Sequence, residues 1–308
     1  MKEILGKDPV IFIDEAQRIP ELGLTAKIIT DQFPEKQLIL SGSSSFELSR
    51  NMEEPLTGRK WTYRLFPVSW EEWEQEVGYP KAVQGFKDRL VYGFYPDVLL
   101  HQGEQRERLE ELVNSYLYKD VLLYGGIRRS QVIEKLVRAL AHQVGQEVSQ
   151  KELGDRVGAD PKTVGHYIDV LEQAYVIFRL PAFNRNHRNE IKKMNKVFFF
   201  DNGVRNAVID AFQPIDERSD RGALWENFLV GERFKQLSYK GIKARKYFWR
   251  TKQQQEVDYV EERGEELLGF EFRWNPRTRI RFPKTFTNTY DAHVGGVTPE
   301  NFRDFVFL

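Results

Sequence analysis

Asp14 and Glu15 are adjacent carboxylates at the end of a short apolar run, and a polar turn that contains Pro20 follows them. An apolar strand that ends in two carboxylates is typical of the Walker B motif. In that motif the first carboxylate holds Mg²⁺ through its water shell, and the second polarises the attacking water. The pattern therefore predicts the magnesium side of a nucleotide site. The alternative is that the two carboxylates merely end a strand and cap the turn.

The phosphate-binding loop that such a site needs does not occur in this sequence. The 308 residues contain no G-x-x-x-x-G-K-[ST] motif, so the backbone amides and the lysine that grip nucleotide phosphates are missing. We therefore expect the chain as written to bind ATP weakly or not at all.

A second set of residues suited to chemistry is basic and lies in the middle of the chain. Ser149 and Asp160 are helix-capping signals on either side of Gly158, and apolar residues recur at helical spacing after them. Two helices around a tight turn, followed by VIFRL, a basic loop and KVFFFD, predict a helix-turn-helix with a β-wing. Its exposed positions are predicted to contact DNA: Lys162, Thr163, His166, Arg188, Lys192, Lys193 and Lys196. Alternatively, the module docks proteins and its basic loop is only solvated.

The elements that must position Asp14 and Glu15 alternate between strand and helix. PVIFID and QLILSGSS predict two strands with a helix near residues 22–33 between them, which is typical of a parallel sheet. A third strand is predicted near residues 61–66, followed by a helix that Ser69 opens. A sheet this small leaves a strand edge open, and open edges recruit partners. We expect a missing N-terminal segment or a protein partner to cover it.

The rest of the chain combines helices with a β-meander. Helical patterns occupy residues 86–127, and a helix near residues 222–237 precedes the runs KYFWR, EVDYVEE and LLGFEFRW. Polar gaps of turn length separate these three runs, which predicts antiparallel strands.

Composition excludes several classes of protein. Lys plus Arg and Asp plus Glu both number 46, so any attraction to nucleic acid is local. The absence of cysteine excludes disulfides, thiol nucleophiles and Cys-ligated zinc. No apolar run approaches the roughly 20 residues that a membrane helix needs. We expect a cytoplasmic protein without a membrane partner.

Taken together, these elements resemble a prokaryotic family of AAA-type ATP-binding proteins. The resemblance rests on the helix-turn-helix and on motifs in order along the chain: IFIDEAQRIP, LILSGSSS, EPLTGR, LFPVSWEEW, GFYPDVLL, YLYKDVL, KVFFFDNGVRN, GALWENFLVGE and EVDYV. It implies an α/β fold class with four parts: a partial P-loop NTPase parallel sheet (1–85), a helical linker (86–127), a winged helix-turn-helix (128–200) and an α/β restriction-endonuclease-like domain of the PD-(D/E)xK type (201–308).

The resemblance also implies roles in the first domain, with ATP and Mg²⁺ as cofactors. Asp14 and Glu15 would serve Mg²⁺ and the attacking water. Ser43 would face the γ-phosphate, and Arg59 would stabilise charge as an arginine finger does. The family is a nucleoside-triphosphatase family, and the absent phosphate loop implies that this chain is inactive alone.

In the C-terminal domain, the resemblance implies a metal site built from carboxylates. Strand alternation places Asp258 on one face of its strand and Glu271 with Arg273 on one face of the next, and Glu226 could complete the cluster. In PD-(D/E)xK nucleases such carboxylates bind Mg²⁺ and a lysine positions the water. Here Arg273 replaces that lysine and stays protonated. The domain is therefore either a metal-dependent nuclease or an inactive relative with a salt-bridge cluster.

The segment after Arg273 contains four further cations and no acid: Arg277, Arg279, Arg281 and Lys284. It is either a second phosphate-contacting strip or a solvated edge. The function expected overall is that of an AAA-type ATP-binding protein that acts on or with DNA. The rivals are a non-enzymatic DNA- or protein-binding winged-helix module with a structural ATPase remnant, and a metal-dependent nuclease.

Overall fold

The structure, a computed structural model, describes residues 8–42, 58–115, 130–184 and 194–308. Four residues with predicted site roles lie outside these ranges: Ser43, Arg188, Lys192 and Lys193. The chain divides into two units, Met1–Arg64 and Leu65–Leu308, and each has its own apolar core.

The first unit contains a parallel strand–helix–strand arrangement. Strands β1 (Val10–Ile13) and β2 (Gln37–Leu40) pair in parallel, and helix α1 (Leu22–Gln32) connects them. Ile13 of β1, and Leu38 and Leu40 of β2, pack against the apolar cluster to which this helix contributes, because side chains along a strand point alternately to opposite faces. The predicted strand–helix–strand unit is confirmed, and it sets the carboxyl ends of both strands at one edge of the sheet.

The third strand predicted near residues 61–66 is not formed. No strand pairs with this segment among the described residues, and Trp61, Tyr63 and Leu65 are 83%, 88% and 94% exposed. Alternating aromatic residues favour a strand only where a neighbour accepts the backbone hydrogen bonds. The helix predicted next is formed, and Ser69 and Glu72 cap it reciprocally.

The second unit begins with helices. Gly78 separates the first two with a φ of 81°, a conformation that glycine adopts without steric cost. Among the described residues, the helices before the helix-turn-helix are α2 (Trp70–Val77), α3 (Tyr79–Tyr92), α4 (Pro96–Leu100), α5 (Gln105–Leu112) and α6 (Ser130–His142).

A helix-turn-helix follows α6, formed by α7 (Gln150–Val157) and α8 (Pro161–Gln173). The predicted caps are confirmed, because the side chains of Ser149 and Asp160 each accept a hydrogen bond from a backbone amide of the helix they precede. Gly158 ends α7 in the left-handed conformation, with a φ of 76°. The apolar face of α8 is buried, as its spacing predicted.

The remaining elements form an antiparallel strand pair and a four-stranded sheet with helices around them. They are β3 (Ile177–Pro181), β4 (Asn195–Phe199), α9 (Asn202–Val208), α10 (Arg221–Tyr239), β5 (Arg245–Arg250), β6 (Glu256–Arg263), β7 (Glu266–Phe272), α11 (Lys284–Thr289), β8 (Ala292–Val297) and α12 (Phe302–Val306). β5, β6 and β7 form the predicted meander, and β8 adds in parallel to β7. β8 was not predicted, because two glycines weaken its strand pattern.

Hydrogen bonds join the β3–β4 pair to α10 and to the C-terminal sheet. The Asn227 side chain of α10 bonds both the amide and the carbonyl of Phe199, at 2.7 and 3.0 Å. Beyond β3, the Phe183 amide donates to the Phe248 carbonyl of β5 at 2.6 Å. These contacts place the end of β4 against α10, and the segment after β3 against the meander.

Candidate functional site

Asp14 and Glu15 follow β1 directly, at the carboxyl edge of the parallel strands. Ser41 is the first residue after β2, and its hydroxyl donates a hydrogen bond to an Asp14 carboxylate oxygen. The Ser41 amide donates to the Ile13 carbonyl and the Ala16 amide donates to the Ser41 carbonyl, both at 2.9 Å. The parallel pairing thus brings a hydroxyl from one strand end to a carboxylate from the other.

The Asp14 carboxylate is exposed. The Ser41 hydroxyl, and after it the Glu15 amide, hold the pKa of Asp14 below its ordinary value. Mg²⁺ in nucleotide sites usually keeps several waters and takes one or two protein oxygens of this hard type. These residues therefore fit the magnesium role, although they include no group that grips phosphate.

Glu15 and Arg59, the other predicted residues of this site, are each held by a charged neighbour. Glu15 has a left-handed backbone, with a φ of 51°, which is uncommon outside glycine. Its carboxylate pairs with Arg18 at 3.1 Å. Arg59 forms an ion pair with Asp31, which anchors it to α1.

A second acidic region lies inside the second unit, where carboxylates converge near Lys196 of β4. They come from three elements: Glu226 of α10, Glu256 and Asp258 of β6, and Glu271 of β7. Residues two apart on a strand share a face, so Glu256 and Asp258 point the same way. The register pairs Tyr259 with Phe270, which sets Asp258 beside Glu271.

Lys196 is the centre of this cluster. Its side chain is 4% exposed, and its ammonium lies 2.9 Å from a Glu226 oxygen and 2.6 Å from a Glu256 oxygen. Arg250 lies near the same Glu256 carboxylate at 3.7 Å and binds Glu147 at 2.9 Å. The assignment of Lys196 to a DNA-contacting wing does not fit this position, because its ammonium faces carboxylates inside the unit.

Arg273 supplies a second cation to the cluster. Its guanidinium lies 2.7 Å from Glu271 and 3.6 Å from Asp258. Asp258 also accepts a hydrogen bond from the Phe272 amide at 2.8 Å. The structure thus brings Glu226, Asp258 and Glu271 into one cluster, together with two cations.

Burial controls the protonation of these groups. Burial raises the pKa of Glu226 to about 7, although the charge of Lys196 acts in the opposite direction. Burial and the negative charge of Asp258 together raise the pKa of Glu271 to about 8. Burial also raises the pKa of Asp258. For Lys196 burial acts to lower the pKa, but the charges of Glu226, Glu256 and Asp258 outweigh it and the pKa lies above its ordinary value. Protonation of Glu226 and Glu271 near neutral pH therefore reduces the negative charge of the cluster.

This arrangement does not fit a divalent ion. Lys196 and Arg273 already lie between carboxylates, and within the described ranges no three His, Asp or Glu side chains are placed to hold a metal. The geometry does not support the metal role predicted for Glu226, Asp258 and Glu271.

Sequence reasoning missed Glu256 and misplaced Lys196. Glu256 carried a usable signal, since it lies two residues before Asp258 and so shares its strand face. Lys196 carried none, because it directly follows a basic loop and its carboxylate partners are distant in sequence.

The predicted recognition positions of α8 lie at or near the surface. Lys162 and His166 are exposed, and Thr163 is half-buried. The Thr163 amide and hydroxyl both donate to Asp160, at 2.9 and 2.6 Å, so Thr163 serves the helix cap. Lys162 and His166 are accessible to a partner.

Three stretches of the chain match known families. Residues 1–74 match a family described as AAA domain, residues 83–214 match a domain of unknown function (DUF8612), and residues 221–302 match another (DUF4143). The first match covers Asp14, Glu15 and Ser41 and supports an AAA-type, ATPase-like protein. In the part of the chain that the structure covers, no helix combines the length and apolarity needed to cross a bilayer.

The chain is also similar to proteins from bacteria and an archaeon, each described as an uncharacterized protein. One from Mycobacterium tuberculosis is 27% identical over 280 residues, covering 89% of this chain and 60% of that protein. One from Haemophilus influenzae is 24% identical over 272 residues, covering 85% and 63%. One from Methanocaldococcus jannaschii is 20% identical over 269 residues, covering 81% and 58%. The chain spans 58–63% of the length of these curated relatives.

Proposed function

We propose that this protein is an AAA-type ATP-binding protein in which Asp14 and Glu15 form the magnesium and water side of the nucleotide site. The observation that carries the proposal is the hydrogen bond from Ser41 to Asp14, within the segment that matches the AAA domain family. Open α/β sheets bind ligands outside the carboxyl ends of their strands, which is where these residues lie. Asp14 would hold Mg²⁺ through its waters, and Glu15 would orient the attacking water.

To test this proposal, the phosphate-binding part of the site must be added to the protein. Because the 308 residues contain no phosphate loop, we expect no ATP turnover by the chain alone. In a chimaera, a strand, a G-x-x-x-x-G-K-[ST] loop and a helix are fused ahead of β1. We expect this chimaera to gain Mg²⁺-dependent ATPase activity.

Two substitutions in the chimaera distinguish the roles of the carboxylates. Glu15→Gln should abolish turnover and leave nucleotide binding, whereas Asp14→Asn should weaken the Mg²⁺-dependent part of binding. Glu35→Gln, at an exposed position before β2, is the matched control. A folded chimaera that binds no nucleotide contradicts the proposal. Turnover by the chain alone that Glu15→Gln abolishes would reveal an unrecognised phosphate site.

A second candidate function is DNA binding through residues 128–200, which we propose form a winged helix. The order α7, turn, α8, β3 and β4 favours it, as does the exposure of Lys162 and His166 at the start of α8. The wing residues Arg188, Lys192 and Lys193 would each neutralise a phosphate. In this proposal residues 201–308 form an inactive nuclease-like domain, in which ion pairs with Lys196 and Arg273 replace the metal.

The salt dependence of DNA binding tests the wing. With three phosphate contacts, log K should fall against log salt with a slope of about −3, at roughly 0.9 per contact. The double variant K192A/K193A should make the slope shallower by about 2. If DNA binding changes neither with salt nor with these substitutions, the module is better explained as a protein-docking element.

A further inference from the structure

The second unit presents a basic loop between β7 and α11, away from the helix-turn-helix in sequence. Arg277, Arg279, Arg281 and Lys284 are all exposed, and residues 274–284 include no acid. Within the described ranges, none of these four side chains forms an ion pair. Arginines elsewhere in the unit bind carboxylates, as Arg233, Arg245 and Arg303 do.

Apolar contacts anchor the backbone of this loop. Trp274, at its start, stacks on Phe86 of α3 with ring centroids 6.4 Å apart. Ile280 packs on Gly296 of β8, where an added Cβ would lie 2.2 Å from the Ile280 Cδ1 atom. Phe282 packs against a buried apolar cluster. The loop is therefore attached to the unit at three points.

The packed residues of the loop determine the direction of the cationic side chains. Ile280 and Phe282 are half-buried, whereas Arg279 and Arg281 alternate with them and are exposed. The guanidinium groups thus face solvent from a fixed backbone. Because the loop backbone is already ordered, a ligand that binds these groups loses little affinity to the entropic cost of ordering the loop.

The loop also lies on the face of the sheet that carries the carboxylate cluster. Gly296 of β8 is aligned with Glu271 of β7, and aligned residues of neighbouring strands point to the same face. Ile280, which contacts Gly296, is therefore on the face of Glu271. Carboxylates near the loop would repel a phosphate, but Lys196 and Arg273 already pair with them.

We propose that this loop binds the phosphate backbone of duplex DNA, without base readout and without a divalent metal. Guanidinium groups match phosphate geometry in bidentate hydrogen bonds, and several cations in one short loop suit a ligand with repeated charges. Trp274 and Phe282 are occupied by packing, so no aromatic side chain of the loop is left to stack on a base. The surface is additional to the helix-turn-helix and independent of the nucleotide site.

The test measures binding of a short fluorescent duplex of mixed sequence to the full chain over a salt series, in EDTA. The variant R279A/R281A removes two predicted phosphate contacts, and K243A/K252A removes two exposed charges outside both proposed DNA-binding surfaces as a matched control. At roughly 0.9 per contact, R279A/R281A should make the salt slope shallower by about 2. The ratio of wild-type to R279A/R281A affinity should therefore fall roughly tenfold when salt rises from about 50 to about 200 mM. The control should keep the wild-type slope.

Three results would overturn the proposal. In the first, R279A/R281A keeps the wild-type slope while K162A/H166A loses binding, which would assign all DNA contact to the helix-turn-helix. In the second, K243A/K252A loses as much as R279A/R281A, which would indicate unspecific charge attraction. In the third, the chain binds vesicles of phosphatidylcholine and phosphatidylserine in preference to the duplex. Because Arg279 and Arg281 are exposed, an unchanged melting temperature verifies that the variant is folded.

Discussion

The carboxylates in the two acidic regions of this molecule have pKa values shifted in opposite directions. Asp14 is exposed at a sheet edge, and a neighbouring hydroxyl holds its pKa below the ordinary value. Glu226 and Glu271 lie in a buried cluster, where the pKa rises to about 7 and about 8. Among the described residues, a hydroxyl and a backbone amide stabilise the charge of Asp14, whereas the buried carboxylates are paired with the cations beside them.

The carboxylates of the two regions differ in whether an external ion can reach them. Mg²⁺ with its water shell can approach Asp14 without displacing a cation of the protein. In the buried cluster, a metal would have to displace the ammonium of Lys196 and deprotonate carboxylates. Residues of the same type therefore suit a nucleotide site in one region and an internal ion-pair network in the other.

The substitution with the largest expected effect is Lys196→Met. It removes the ammonium between Glu226 and Glu256, and breaking a buried ion pair from one side leaves an uncompensated charge. We expect a loss of about 3 kcal/mol in the free energy of unfolding at a pH above both raised pKa values, and a smaller loss at acidic pH. Urea unfolding measures it. The exposed control Lys162→Met should change stability by less than about 0.5 kcal/mol; equal losses would contradict a buried role for Lys196.

The pH dependence of stability should carry the signature of Glu226 and Glu271. Their pKa values in the folded state, about 7 and about 8, lie above the ordinary 4.5. Between these limits the folded state binds more protons than the unfolded state, so stability falls as pH rises, by at most about 1.4 kcal/mol per pH unit for each group. Glu271→Gln should flatten the upper part of this decline, whereas the exposed control Glu300→Gln should not. A stability that rises through the same window would show that these carboxylates are ionised in the folded state.

Removal of Arg273 should have a smaller effect than removal of Lys196. Its side chain is 39% exposed, so water partly replaces it beside Glu271. We expect Arg273→Ala to cost about 1 kcal/mol at alkaline pH, and Arg273→Lys to retain most of the stability. The exposed neighbour Arg277 provides the control Arg277→Ala. If Arg273→Ala and Arg277→Ala have the same melting temperature, Arg273 does not stabilise the cluster.

The smallest effect should come from Ser41→Ala at the exposed site. It removes the hydrogen bond that contributes most to the low pKa of Asp14, so this pKa should rise towards its ordinary value. Carboxylate NMR titration measures the shift. Glu226 and Glu271 should titrate as before. An Asp14 pKa that does not move would mean that the hydroxyl contact is not maintained in solution.

Locally determined features were predictable from the sequence, and features that depend on distant partners were not. The caps at Ser149 and Asp160 act within three residues, and the meander follows from alternation along each strand. The strand predicted near residues 61–66 failed for lack of a partner strand. Lys196 was misplaced because its surroundings depend on α10 and β6, which no local pattern links to β4.

The most direct test of the contrast between the two regions is the melting temperature of the full chain with and without millimolar Mn²⁺, at a pH above both raised pKa values. Bound metal stabilises the folded state by mass action. Because Lys196 and Arg273 fill the buried cluster, we expect no rise that depends on Asp258, so wild type and Asp258→Asn should respond alike. A clear rise in wild type that persists in Asp14→Asn and disappears in Asp258→Asn would contradict this, and would identify the buried cluster as a metal site.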